Sequence, residues 1–261
     1  MSHLIKHLRE LHARRAVLWI LIWQQLILRY RRTLLGYLWS LVNPLIMMSI
    51  MSLVFASLFK ADIKTFTIFL FAGMIPWNFF NAVVTQSSNT FINNESLIKK
   101  IYLPKLIFPL SLCISLFIDS LLSFVAFFII IVCIGGSLSW TVLFLPVAYL
   151  LLFIFAFGFG LIMSVATVFF RDLQYINTMA MQALFFLTPI LYKQDVLSGK
   201  LAFLVHLNPM STFIDLFRSP LYLSTFPSLL VMLKAIIFSL MAMSLGLFFF
   251  LRQEKKLVFR L

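Results

Sequence analysis

Apolar residues fall along this chain in six long stretches, at 37–59, 66–88, 106–134, 141–169, 176–192 and 229–251. Charge is almost absent from them; Asp119 in the third and Lys234 in the sixth are the exceptions. A membrane-crossing helix needs about 20 apolar residues, so the pattern predicts six transmembrane helices. A further run, AVLWILIWQQLIL at 16–28, is of another kind. It is short, it holds Gln24 and Gln25, and arginines bound it on both sides: Arg14 and Arg15 before, Arg29, Arg31 and Arg32 after. That is the pattern of an amphipathic helix lying in the interface, with Trp19 and Trp23 at headgroup depth. Its stripe is imperfect, because Leu18 and Leu21 interrupt the polar face.

Some stretches are punctuated. Asn43-Pro44 sits early in the first, and Gly73 with Pro76 sits inside the second. Proline removes a backbone bond and kinks a helix, either as a tolerated packing feature or to open a cavity. The connection at 193–228 is too long for a turn and too apolar for a solvated loop. It splits at Asn208-Pro209, and Phe213, Leu216 and Phe217 then fall on one helical face. Asp215 and Arg218, three apart, share another face at a spacing that allows a pair. The expectation is two short re-entrant helices dipping into the outer leaflet. The connection NTFINNESLIKKIYLPK at 89–105 suits a short helix over about 94–102. Asn93 or Asn94 is the cap, Glu95 lies in the first turn, Lys99 and Lys100 lie toward the end, and Pro104 stops it.

Composition agrees with the pattern. Hydrophobic residues make up 62% of the chain and charged residues 11%, against about half and about a quarter in soluble domains. Mean hydropathy is +1.05. The chain reads as an all-α integral membrane protein. Lys6, Arg9, Arg14, Arg15, Arg29, Arg31, Arg32, Lys99, Lys100, Lys105, Arg171, Arg252, Lys255, Lys256 and Arg260 share one side of the six-span topology. Lys60, Lys64, Lys193, Lys200 and Arg218 share the other. This bias puts both termini in the cytoplasm. The division is then a cytoplasmic N-terminus with interface helix and gate (1–36), a six-span domain (37–251) and a cytoplasmic tail (252–261). The net charge of +13 is this topology signal rather than a nucleic-acid footprint.

Little catalytic chemistry is visible. No GxxxxGK[ST] phosphate loop occurs, so the chain itself is not expected to bind or hydrolyse ATP. Asp119 is a lone intramembrane carboxylate, expected to hydrogen-bond Ser115, Ser120, Ser123 or a neighbouring helix rather than relay protons. Cys113 and Cys133 lie in apolar runs and suit neither a disulfide nor a metal. His3 and His7 lack ligand partners, so no metal is expected. With no catalytic constellation, the chain is expected to move something, with energy supplied by a cytoplasmic partner. The 89–105 connection, through Glu95, Lys99 and Lys100, is the candidate docking element; a plain basic loop is the competing reading.

Six stretches occur in a family order: YRRTLLGYLWSLVNPL (30–45), GMIPWNFF (73–80), NNESLIKKIYLPK (93–105), FFRDLQYI (169–176), TPILY (188–192) and HLNPMSTFIDLFR (206–218). With them the chain resembles the membrane subunit, or permease, of polysaccharide-type ABC exporters, closest to the O-antigen (Wzm-type) branch. The resemblance implies the type-2 ABC exporter fold and a homodimer of six-span subunits in the bacterial inner membrane. It implies two cytoplasmic ABC ATPase subunits beneath, which would hold the ATP and magnesium; no cofactor is expected on this chain. It implies an interface helix around 13–29 and a cytoplasmic gate at Leu35-Gly36. It implies an outer gate from the paired short helices, with Phe213, Asp215, Phe217 and Arg218. The substrate implied is a polysaccharide on undecaprenyl pyrophosphate. A capsule or teichoic acid permease, or an ABC lipid or drug exporter, is the alternative.

The resemblance also implies that spans one and five line a channel. Tyr37, Trp39, Phe55, Phe59, Phe185, Phe186 and Tyr192 are then the candidates for stacking on sugar faces, with ordinary packing as the competing reading. Arg29, Tyr30, Arg31 and Arg32 stand at headgroup depth. Guanidinium forks bind phosphate oxygens in pairs, so this cluster is the candidate receiver of the carrier pyrophosphate. Setting topology is its competing reading.

Overall fold

The structure, a computed structural model, describes residues 10–11, 13–29, 36–136, 139–194 and 199–260. The described residues form helices and connections, with no strand among them. In chain order the helices are α1 (Arg15–Arg29), α2 (Trp39–Leu58), α3 (Ile63–Ser87), α4 (Thr90–Asn93), α5 (Glu95–Lys100), α6 (Ile107–Cys133), α7 (Leu145–Phe169), α8 (Leu173–Leu187), α9 (Gly199–Leu207), α10 (Pro209–Leu221) and α11 (Leu229–Arg260). Short 3-10 turns, Gly36–Leu38 and Trp140–Phe144, lead into α2 and α7.

Four of the described helices are long and apolar enough to cross a membrane: Ile63–Ser87, Ile107–Cys133, Trp140–Phe169 and Leu229–Leu257. The first expected span is α2, 20 residues long, or about 30 Å. The fifth is shorter: α8 has 15 residues, a length of about 22 Å. Pro189 explains the short α8. A proline forces the residue before it out of the helical region, and Thr188 is extended at φ −98°, ψ 130°. TPILY therefore ends the helix instead of completing a span. Pro76, by contrast, is carried inside an unbroken α3.

Helix α3 is the central post. Within its apolar segment 78% of residues are buried, against 22–44% in the other three long helices. Helices α2, α6, α7, α8 and α10 all pack on it. Aromatic rings make the joints. Phe71 stacks on Phe127 of α6 at 5.2 Å, and Phe80 on Phe155 of α7 at 5.2 Å. Where lipid is the solvent, such contacts rather than a hydrophobic driving force hold helices together.

Helix α1 lies against α6. Leu21, Ile22 and Leu26 are buried while Trp19 and Trp23 are exposed, as an interfacial helix requires. Gln25 turns inward. It donates to Ser111 Oγ at 3.2 Å and accepts from Ser115 Oγ at 3.0 Å. Ser120 is paired with the Tyr149 hydroxyl, and Ser123 donates to the backbone carbonyl of Asp119.

The 193–228 connection does form two helices broken at Asn208-Pro209. Asn208 Oδ1 caps α10 through Met210 N at 3.0 Å, and its Nδ2 donates to Thr188 Oγ1 at 2.8 Å. One expectation fails here. The apolar face of α10 does not face a leaflet. Phe213 and Phe217 are fully buried, 4.6 Å from Phe155 and 4.9 Å from Tyr149. The expected tail is also no separate segment: α11 runs 32 residues to Arg260, about 48 Å. Lys105 Nζ pins it by donating to Glu254 O at 2.7 Å.

Helices α7 and α11 meet backbone to backbone, with Gly158 against Ala242 and Gly246. A Cβ at Gly158 would collide with the Ala242 backbone, and one at Gly246 with the Gly158 carbonyl. The Ala242/Gly246 spacing is the small-xxx-small pattern that lets helix backbones meet in membranes. Gly158→Val should therefore force α7 and α11 apart and cost about 3 kcal/mol. Thermal unfolding in detergent measures it; an unchanged midpoint would mean the two helices can separate freely.

Candidate functional site

One end of the bundle is organised by Arg218. Its guanidinium is buried, 6% exposed, between α10, α3 and the TPILY segment. Nε donates to Phe69 O at 3.4 Å, Nη1 to Pro189 O, and Nη2 to Ile190 O at 2.6 Å. Its Cζ lies 3.6 Å from the centroid of the Phe69 ring. Gly73 leaves the room: a Cβ there would stand 3.1 Å from Nη2. Two of the carbonyls Arg218 takes up, Pro189 and Ile190, belong to the chain just past the end of α8, where the helix supplies no donor; the third, Phe69, lies within α3. The expected partner, Asp215, accepts from Gln194 Nε2 at 3.1 Å, and its charge favours the guanidinium, while the guanidinium donors named above go to carbonyls.

Beside this anchor lies a cavity of about 460 Å³. Phe59, Phe66, Phe69, Tyr192 and Tyr222 line it, with Asp62 and Lys193 among its polar residues. The rings form a ladder: Phe55–Phe59 at 5.9 Å, Phe59–Phe66 at 6.0 Å, Phe66–Phe69 at 5.9 Å and Phe69–Tyr222 at 5.3 Å. Two of the expected aromatics, Phe59 and Tyr192, thus share a cavity. Phe66, Phe69 and Tyr222 were missed, because they lie outside the two spans singled out. Phe185 packs on Trp77 at 5.7 Å and on Phe186 at 5.4 Å, and Phe186 is exposed. Tyr192 donates its hydroxyl to Phe186 O at 2.9 Å. Trp39 is exposed at the start of α2. The side chain of Tyr37 lies outside the described residues.

At the other end, α5 presents the expected docking residues. Lys99 Nζ reaches Glu95 Oε1 at 2.6 Å, both partly exposed. The bond and charge of Lys99 hold the Glu95 carboxyl below its usual range, and Arg171 from the next connection adds to this. Asn94 occupies the cap position but makes no capping bond; its Nδ2 donates to Thr90 O at 2.8 Å. Ile101 and Tyr102, next to Lys100, are exposed, Tyr102 at 83%. These two were also missed, although an aromatic beside a basic pair was the available signal.

The arginine cluster is described only at its edges. Arg29 ends α1, and its side chain together with Tyr30, Arg31, Arg32 and Leu35 lies outside the described residues. Gly36 is described. Its φ of +53° is the left-handed region open to glycine, and it starts the turn into α2. A second cavity, lined by amide side chains, lies beside the end of α1 at Leu28.

The chain matches the ABC-2 type transporter family over residues 16–222. It is a member of that family. Two Klebsiella pneumoniae proteins named O-antigen export system permease protein RfbA are similar to it. One is 34% identical over 197 residues, 73% of this chain and 76% of the relative. The other is 32% identical over 188 residues, 71% and 72% of the two chains. A Myxococcus xanthus protein of the same name is 28% identical over 221 residues, 84% and 85% of the two chains. This ABC-2 chain is thus a multi-pass membrane protein and the transmembrane subunit of an ABC transporter. The family match runs from α1 to the end of α10 and includes every candidate site residue above; α11 lies beyond it.

In this ABC-2 subunit Arg218 outweighs its neighbour Asp215. Arg218→Ala leaves the Pro189 and Ile190 carbonyls without their side-chain donor and should cost about 3 kcal/mol. Arg218→Lys should recover part, because an ammonium cannot reach three carbonyls as a planar fork does. Asp215→Asn keeps an acceptor for Gln194 and should cost under about 1 kcal/mol. Thermal stability in detergent ranks the three; Asp215→Asn as damaging as Arg218→Ala would restore the direct pair as the anchor.

Proposed function

We propose that this chain exports a lipid-linked polysaccharide of the O-antigen type across the bacterial inner membrane. It works as a homodimer with two cytoplasmic ABC ATPase subunits. The observation that carries the reading is the similarity, over about three quarters of the chain, to proteins named O-antigen export permeases. The absence of a phosphate loop from the sequence supports a separate source of ATP energy. The positive-inside count supports cytoplasmic termini. Helix α8 supports the dimer: only Asn177 and Met181 of it are buried, while Tyr175, Ile176, Met179 and Phe186 are exposed. Facing a second copy, α2 and α8 line the path, and the short α8 with its TPILY extension serves as the fifth of six crossings.

The carrier pyrophosphate is received by Arg29, Tyr30, Arg31 and Arg32, and Leu35-Gly36 closes behind it. The aromatic ladder of Phe59, Phe66 and Phe69 suits sugar because rings stack on C–H faces while fixing no charge. Helix α5 couples to the ATPase through Glu95, Lys99 and Lys100, with Ile101 and Tyr102 beside them. α9 and α10 form the outer gate, held by Arg218.

Deletion of the gene should remove long-chain polysaccharide from the cell surface while its lipid-linked precursor accumulates inside. Unchanged surface polysaccharide would sink the reading. Arg31→Ala with Arg32→Ala should lower carrier affinity about tenfold or more, since each charge-assisted bond contributes about 1.5–3 kcal/mol. Carrier-stimulated ATPase activity reads it, with orientation checked by cysteine labelling. Normal stimulation in the double variant would leave these arginines as topology determinants. Lys99→Glu with Lys100→Glu replaces the Glu95–Lys99 attraction by repulsion at i,i+4 and should reduce co-purification of the ATPase. Full recovery of the complex would return α5 to a plain basic connection.

A further inference from the structure

The cavity beside α1 has a lining unlike the rest of the chain. It measures about 510 Å³, within the range of about 300–1,000 Å³ usual for small-ligand sites. Six carboxamides converge on it: Gln24 and Gln25 from α1, Gln86 from α3, and Asn89, Asn93 and Asn94 from the α4–α5 segment. Leu21, Leu28 and Leu112 give it an apolar wall. Among the described residues no charged side chain lines it.

These amides do not all serve the fold. Gln25 is held at both ends by Ser111 and Ser115, and Asn94 is tied to Thr90 O. Gln24, Asn89 and Asn93 make no side-chain hydrogen bond among the described residues. Asn89 even stands at the cap position of α4 without making the capping bond. A carboxamide offers a donor and an acceptor side by side, which matches a pair of neighbouring hydroxyls. The leucines suit the C–H face of a ring. The described lining offers a neutral hydroxyl its donors and acceptors but offers a phosphate or an ammonium group no counter-charge. The cavity lies on the end of the bundle that carries α5 and Lys105, and Leu28 of its wall directly precedes Arg29.

We propose that this cavity is a sugar site: it holds the neutral, polyhydroxylated residue next to the pyrophosphate of the lipid carrier while the arginine cluster holds the phosphates. The site rests on the polysaccharide-export reading. Gln24, Asn89 and Asn93 make the reading contacts, and Gln25 and Asn94 shape the wall. The pocket selects carriers that have been glycosylated over bare ones.

The test uses the chain in complex with its ATPase in nanodiscs of phosphatidylethanolamine and phosphatidylglycerol. ATPase stimulation is titrated with a polyprenyl pyrophosphate bearing a disaccharide and with the same carrier lacking sugar. The wild type should need about tenfold less of the glycosylated carrier, the worth of two or more neutral hydrogen bonds. In Asn89→Ala with Asn93→Ala, and separately in Gln24→Ala, that ratio should fall toward one. Gln24 is exposed and Asn89 and Asn93 are not packed inside, so truncation leaves no buried partner unsatisfied. A ratio unchanged in both variants overturns the sugar site and leaves the export reading standing. Loss of both responses in an assembled complex also overturns it, since the residues then act on folding or on the phosphates. A wild type stimulated equally by both carriers overturns the site alone. A wild type stimulated by neither overturns the export reading and the site with it.

Discussion

One buried cation holds one end of this molecule together. Helix α8 stops at Leu187 inside a largely apolar bundle, and a helix end leaves carbonyls without donors. Arg218 supplies donors to Pro189 and Ile190 past that end, adds one to Phe69 within α3, and packs its face on the Phe69 ring. A lysine offers one point of attachment; a guanidinium spans three acceptors at once. Gly73, Pro189 and the seating of α10 all follow from making room for this group. The outer helices are therefore fastened to the central post, α3, and to the end of α8 by the same side chain. Any movement of α10 is transmitted to α8 through it.

How much of this is legible in the sequence depends on what a pattern can encode. Asn208-Pro209 announced a cap and a first turn, and α9 and α10 divide there. The apolar periodicity of α10 was equally visible, with Phe213 and Phe217 on one face. Which surroundings that face meets was not, because lipid and protein core are both apolar and select the same residues. The burial of Arg218 was hidden for a different reason. A cation three residues from a carboxylate reads as a pair, and the carbonyls that claim it lie 28 to 149 residues away. The amides were hidden by a local rule. Asparagines before a short helix read as caps, yet Asn89 and Asn94 leave their caps unmade. A local preference left unused is where a sequence rule fails and a functional constraint is the natural reason.

The two ends of the bundle carry different chemistry, and the contrast bears on mechanism. One cavity is ringed by phenylalanine and tyrosine, the other by carboxamides. On the proposed export function the first suits a sugar in many registers and the second suits particular hydroxyl positions. Selection would then be needed once, when a carrier is admitted, and afterwards the polymer would have to slide. A path with specific hydrogen bonds along its length would hold each repeat in a well and raise the barrier to the next step. Confining directional polar groups to the receiving end and leaving aromatic faces beyond it avoids that.

The same logic bears on the proposed source of energy. The spans offer Asp119 and few other ionisable groups, which supports force arriving mechanically from a partner subunit rather than from an ion gradient. The described structure gives it a short path: α5 is joined through the 101–106 connection to α6, Lys105 bonds α11 at Glu254, and α11 meets α7 at the Gly158–Gly246 crossing. That crossing is backbone against backbone, with no flexible side chain between to absorb a displacement. Helix α7 also packs on Phe213 and Phe217 of α10, so on the proposed function a continuous set of contacts runs from α5 to α10.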